Sequence, residues 1–162
     1  FHGQAGDYGL SPLAAALPVH MREEDGRVNS FQPWAVERAA AHAITHGLPL
    51  NRPPTVGGFN RIDPKGEAET ILTLRRIEIE ATREALECRP AERAPLLVVG
   101  SHGAGRTAAF ASDVAPHWVG TLVDWGEARV TARAEGAEEV EVGCHYAEFL
   151  ARLVRWTMGD MA

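Results

Sequence analysis

The stretch Ser112-Asp113-Val114-Ala115-Pro116-His117-Trp118 gathers a carboxylate, an imidazole and an indole into one short loop. An aspartate beside a histidine fixes the imidazole tautomer and turns it toward a reacting group as a base. The loop follows a strand-like run, and groups just past strand ends in α/β folds face the ligand crevice. His117 is therefore the candidate base, Asp113 its orienting carboxylate, and Trp118 an apolar wall for substrate. The competing reading is architectural: Asp113 caps the turn, His117 satisfies a backbone group and Trp118 packs.

Four other constellations invite chemistry. Gly100 to Thr107 nearly matches a phosphate loop, with Arg106 where a lysine is required. The residues after it look like a strand rather than a helix, so a tight hairpin turn explains the glycines better. His42 and His46 have one-turn helical spacing, but a metal needs a third ligand and Ala43 removes the zinc-protease pattern. Cys144-His145 pairs a thiol with an imidazole just before a helix, yet adjacent side chains seldom face each other. Gly57-Gly58-Phe59-Asn60 allows close backbone approach and supplies an amide that both donates and accepts. It reads either as a ligand-contacting loop, with Asn60 as the contact, or as a turn bonded to itself.

The elements that must hold these residues follow from periodicity and punctuation. Ser11-Pro12 begins a short helix over 13–17, which Pro18 ends. Two short strands are expected at 19–23 and 27–31, then a helix over 33–44. Residues 48–63, rich in Pro and Gly, read as a long ordered loop. Partial alternation predicts strands at 69–74 and 77–82, with 83–88 open to a helical reading. The apolar run 96–100, a turn at 101–105 and a strand at 106–112 form a hairpin. A second, charge-rich hairpin spans 129–134 and 138–142. The last segment is helical, with Tyr146, Phe149, Leu150, Leu153, Val154 and Thr157 on one face and Glu148, Arg152 and Arg155 on the other. Interleaved strands and helices favour a layered α/β arrangement, in which clean β-α-β units are scarce.

The chain's 162 residues suit a single domain. Hydrophobic residues make up 45% and charged residues 23%, which excludes disordered and collagen-like chains. Sixteen basic against 22 acidic residues leave a net charge of −6, which argues against nucleic acid as a partner. No apolar run is long enough to span a bilayer, and no basic-then-apolar leader is read. Two cysteines far apart make no disulfide framework, so a reducing, cytoplasmic location is expected. No metal or cofactor is called for. Phe1 carries no nucleophilic atom, so it cannot act as an N-terminal nucleophile.

Several segments together resemble the putative glutamine amidotransferase family, a branch of the class I glutamine amidotransferase-like proteins near the ThuA-like proteins. They are Ala16-Leu-Pro-Val19, His42-Ala-Ile-Thr-His-Gly-Leu-Pro49, Gly58-Phe-Asn60, Pro95-Leu-Leu-Val-Val-Gly100, Gly103-Ala-Gly-Arg106 and Phe110-Ala-Ser-Asp-Val-Ala-Pro-His-Trp118. Phe1-His-Gly and the closing Tyr146…Arg155-Trp156 agree in order. The resemblance implies a flavodoxin-like, three-layer α/β/α fold of which this chain is the C-terminal portion, its first βα units lying upstream. It implies amide hydrolysis by a cysteine at a strand-to-helix elbow, which would fall before or at Phe1 and leave His2 nearest to it. No Gly-x-Cys-x-Gly occurs in the chain. On this view Asn60, Trp118, Tyr146 and His2 contact a small-molecule substrate. The stretch 126–145 is a hairpin insertion, and 77–93 is longer than usual. A missing part of the sheet would leave surface for a second copy or for the N-terminal portion. The alternatives are a binding module without catalysis on the same fold and, more remotely, nucleotide binding at 100–107.

Overall fold

The computed structural model describes residues 8–114 and 117–161. A single 3-10 turn at Tyr8–Leu10 precedes helix α1, Pro12–Ala16. Strands β1 (Val19–His20) and β2 (Arg27–Arg38) follow, then a 3-10 turn at Ala43–Thr45. Next come β3 (Thr55–Asn60), β4 (Asp63–Pro64), β5 (Glu69–Ala81), β6 (Leu86–His102) and β7 (Gly105–Phe110). A 3-10 turn at Gly120–Leu122, a hairpin of β8 (Arg129–Ala132) and β9 (Val140–Gly143), and helix α2 (Cys144–Met158) complete the chain.

The main sheet has the order β3-β2-β5-β6-β7, and every strand pair among the described residues is antiparallel. The fold is thus mixed α/β with its sheet drawn from meandering hairpins. The sheet curls until its outer strands nearly meet: past the end of β7 the Ala111 carbonyl accepts from the Asn60 amide of β3, at 2.7 Å. Inside the curl lie Trp34, Val36, Phe59, Leu74 and Leu96, all buried. Trp34 and Phe59 meet edge to face at 4.7 Å. Helix α2 closes the open side with Tyr146, Phe149 and Trp156 buried, and Phe149 lies 5.7 Å from Phe110. Burying a ring such as Phe149 stabilises by about 1.5–3 kcal/mol. Gly159, left-handed at φ 86°, ends the helix where a side chain would be strained.

Three expectations are corrected. Residues 33–44 are not a helix: Trp34 and Ala35 pair with both β3 and β5, and Val36 and Glu37 with β5, so sheet partners override the helix-forming composition. Pro33 is tolerated because pairing with β3 lapses there. Between Asn29↔Gly58 and Trp34↔Val56, the residues Ser30 to Pro33 stand opposite Gly57 alone. The segment 48–63 is not all loop, since β3 runs through it. The helical option at 83–88 gives way to a turn. There the Thr82 hydroxyl accepts from the Ala85 amide at 3.0 Å, and Leu86 then pairs with Ala81. The short helix expected at 13–17 spans 12–16, and both hairpins and the final helix lie in the segments the sequence marked for them.

Candidate functional site

The loop after β7 leaves the sheet at the point where its edges meet. Ala111 donates to the Leu96 carbonyl at 2.7 Å and accepts from Asn60. The Ser112 hydroxyl donates to the Gly58 carbonyl at 2.8 Å. Farther on, Trp118 returns to β3: its carbonyl accepts from the Gly57 amide at 2.8 Å, and Thr121 Oγ1 accepts from the Thr55 amide at 2.8 Å. The outer edge of β3 is thus taken by the loop.

Gly58 is what lets the indole settle. A Cβ at that position would lie 2.5 Å from Trp118 Cδ1, so any side chain would push the ring away. The indole Nε1 donates to Asn29 Oδ1 on β2 at 2.8 Å. A groove of about 340 Å³ opens beside it, lined by Asn29, Ser30, Phe31, Gly57, His117 and Trp118. His117 is exposed at its rim, and Phe31 projects fully into solvent from the unpaired stretch of β2.

The predicted site residues divide. His117 and Trp118 share the groove. Asp113 turns the other way, its Oδ1 accepting from the Trp118 amide at 3.2 Å, which is the turn-capping role. Asn60 holds the seam through its backbone. Tyr146 is buried on the first turn of α2, and its hydroxyl donates to the Val114 carbonyl at 3.3 Å. Burial, and after it the Asp113 carboxylate, push that phenol above its ordinary range. Tyr146 therefore ties the loop to the core. His2 lies outside the described residues, as do Ala115 and Pro116 within the loop. Asn29 and Phe31 were not singled out from the sequence. The signal was Pro33, a proline in a strand-prone run, which marks a break in pairing.

The remaining constellations resolve into structural roles. Residues 100–107 form the β6–β7 hairpin, and Arg106 donates to the carbonyls of Trp156 and Met161 while its guanidinium stands 5.1 Å over the Trp156 ring. The helix that phosphate binding requires is not there. His42 caps the 3-10 turn, its Nδ1 accepting from the Ile44 amide at 3.3 Å, with Trp156 edge-on at 5.0 Å. The His42-to-His46 segment is not α-helical, and no group of three metal-ligating side chains occurs among the described residues. The Cys144 thiol sits against Gly126, where a Cβ would come within 2.5 Å of it, and His145 rests on Trp125. Neither cysteine lines the groove. A second depression of about 380 Å³ is lined by Glu37, Arg38, Leu48, Leu50 and Asn51. Its charges are already engaged: Glu37 with Arg75 and Arg93, Arg38 with the Thr45 and Leu48 carbonyls. No helix among the described residues is long and apolar enough to cross a membrane.

This architecture has solved counterparts. The cytoplasmic protein STM3548 from Salmonella typhimurium superposes with a TM-score of 0.66 at 23% identity, over 93% of this chain and 47% of that one. The cytoplasmic protein STM1381 from Salmonella typhimurium LT2 gives 0.53 at 28% identity, over 70% of this chain and 39% of that one. The chain thus spans less than half the length of either structure. No curated protein matches it. The family model described as putative glutamine amidotransferase matches residues 1–131. With the greater part of its length matched, the chain belongs to the putative glutamine amidotransferase family.

Proposed function

We propose that this chain forms one wall of a ligand cleft in a glutamine amidotransferase-like protein, with the groove beside Trp118 receiving a small amide-bearing ligand. The observation that carries this reading is the seating of the Trp118 indole on Gly58 and Asn29, which leaves an aromatic wall and the exposed His117 imidazole on one groove. The wall accepts an apolar stem and the imidazole serves a polar head. Asp113 is committed to the Trp118 amide, so it positions the loop. In amide hydrolysis His117 would take the proton of a thiol supplied from outside this chain as the thiolate attacks the amide carbon, and would give it to the departing ammonia. Without that thiol the same groove is a binding site and no more.

The same reading makes residues 1–162 the C-terminal portion of a flavodoxin-like domain whose parallel βα units lie elsewhere in the protein. Residues 126–145 are then an inserted hairpin, and a cytoplasmic location follows. The test is titration of the protein with L-glutamine, followed by the Trp118 indole N–H and His117 imidazole resonances, with ammonia release as the second readout. Saturable shifts at both residues are expected, with the shift at His117 lost in Trp118→Ala. Resonances that stay still while glutamine is present at about 10 mM, far above a typical KM, would reject the reading.

A further inference from the structure

The groove beside Trp118 holds a polar group that neither the seating of the indole nor the loop consumes. Most hydrogen-bonding groups around it are already matched. The Gly57 amide donates to the Trp118 carbonyl at 2.8 Å, and the Trp118 amide to Asp113 Oδ1 at 3.2 Å. The Ser30 hydroxyl is used twice, donating to the Gln32 carbonyl at 2.9 Å and accepting from the Gln32 amide at 3.2 Å. Asn29 is matched at one end: its Oδ1 accepts from the Trp118 indole at 2.8 Å.

That contact fixes which end of the Asn29 amide is which. An indole N–H donates and never accepts, so the atom facing it is the oxygen. Turned over, Asn29 would set its NH2 group against the indole N–H, donor against donor. The NH2 group therefore diverges from the indole, on a residue that lines the groove. Register holds it there. Asn29 stands opposite Gly58 on the last rung before pairing with β3 lapses, and the bare Gly58 is what brings the indole within reach. Among the described residues, the side-chain polar groups of the lining left without a partner are the Asn29 NH2 group and the His117 imidazole. No Asp, Glu, Lys or Arg joins them on the lining.

We propose that the Asn29 NH2 group receives the carbonyl oxygen of a primary carboxamide, while the carboxamide nitrogen turns to His117. This rests on the reading of the groove as an amide site and adds the orientation of the amide within it. A carboxamide presents an acceptor and a donor side by side. The Asn29 NH2 group can only donate, so it takes the oxygen. An imidazole nitrogen is able to accept, so it takes the N–H. The reverse placement sets donor against donor at Asn29. The chosen one also puts the nitrogen that departs in hydrolysis beside the group that protonates it. Asn29 is thus the specificity-determining contact, since a ligand without the carbonyl oxygen leaves its NH2 group unmatched.

The experiment is titration of the full chain with L-glutamine and with the uncharged butyramide, followed at the Asn29 side-chain NH2, Trp118 indole N–H and His117 imidazole resonances. In the wild-type protein the Asn29 NH2 pair is expected to shift and to saturate together with the other two. Asn29→Asp keeps an oxygen for the indole and removes the donor. It is expected to preserve the contact between the indole ring and the Gly58 Hα protons, read as nuclear Overhauser effects, and to weaken both ligands about tenfold or more. Weakening of butyramide shows that repulsion of the glutamine carboxylate is not the cause. An Asn29 NH2 pair that stays still while Trp118 and His117 shift overturns the orientation and leaves the amide reading standing. So does an Asn29→Asp protein that binds butyramide as the wild type does, or one that loses the indole contact, since an oxygen is then not what holds the ring. Stillness at all three residues rejects the amide reading itself, and the orientation with it.

Discussion

At the scale of single residues, two positions bear measurable weight. Gly58→Ala places a methyl group 2.5 Å from the Trp118 ring. The ring must leave Asn29, and the cost is expected to be about 1–3 kcal/mol. Chemical denaturation measures the loss, and a displaced Trp118 indole N–H resonance locates it; an unmoved indole would refute the packing argument. His42 gives the pH-dependent counterpart. Burial holds its imidazole below its usual pKa, opposed by Glu69 and reinforced by Arg106. The unfolded chain binds a proton near pH 6.5 while the folded chain does not. Stability is thus complete above that pH and declines as pH falls toward the folded value. His42→Asn, which keeps a cap acceptor for the Ile44 amide, is expected to flatten the decline in Tm between about pH 7.5 and about pH 5. Equal declines in both proteins would show that another group is responsible. Residue types were readable here and directions were not. Asp113 and His117 stand four apart in the loop, but only the fold shows that the carboxylate turns to the Trp118 amide.

Elements were legible where one face meets one partner. Helix α2 shows its stripe in the sequence because it lays a single side on the sheet. Phe149→Ala is expected to cost about 3–5 kcal/mol, whereas Val154→Ala, on a residue 55% exposed, is expected to stay within about 0.5 kcal/mol. Urea midpoints of the two variants test this, and comparable losses would mean that the helix is oriented otherwise. The stretch 33–44 was misread because β2 is central: Trp34, Ala35 and Val36 are all buried, so the alternation that marks a strand is erased. In the same way, Gly57-Gly58 looked like loop punctuation. The glycines are in a strand because an indole needs the space above Gly58, and that partner lies far along the chain.

For the whole molecule, composition and apolar patterning pointed to an α/β protein, and the motif order to its family. The antiparallel course of the sheet was hidden, since strand order depends on contacts between residues distant in sequence. The meeting of Asn60 with Ala111 joins the first and last strands of the sheet, and the groove loop springs from the same spot. That clasp lies outside every strand ladder, so opening it would break the bonds of the loop to β3 and no rung of the sheet. An occupant wedged against Trp118 would bolt both rims together, and the tightness of the ligand and the stiffness of the whole shell become a single equilibrium.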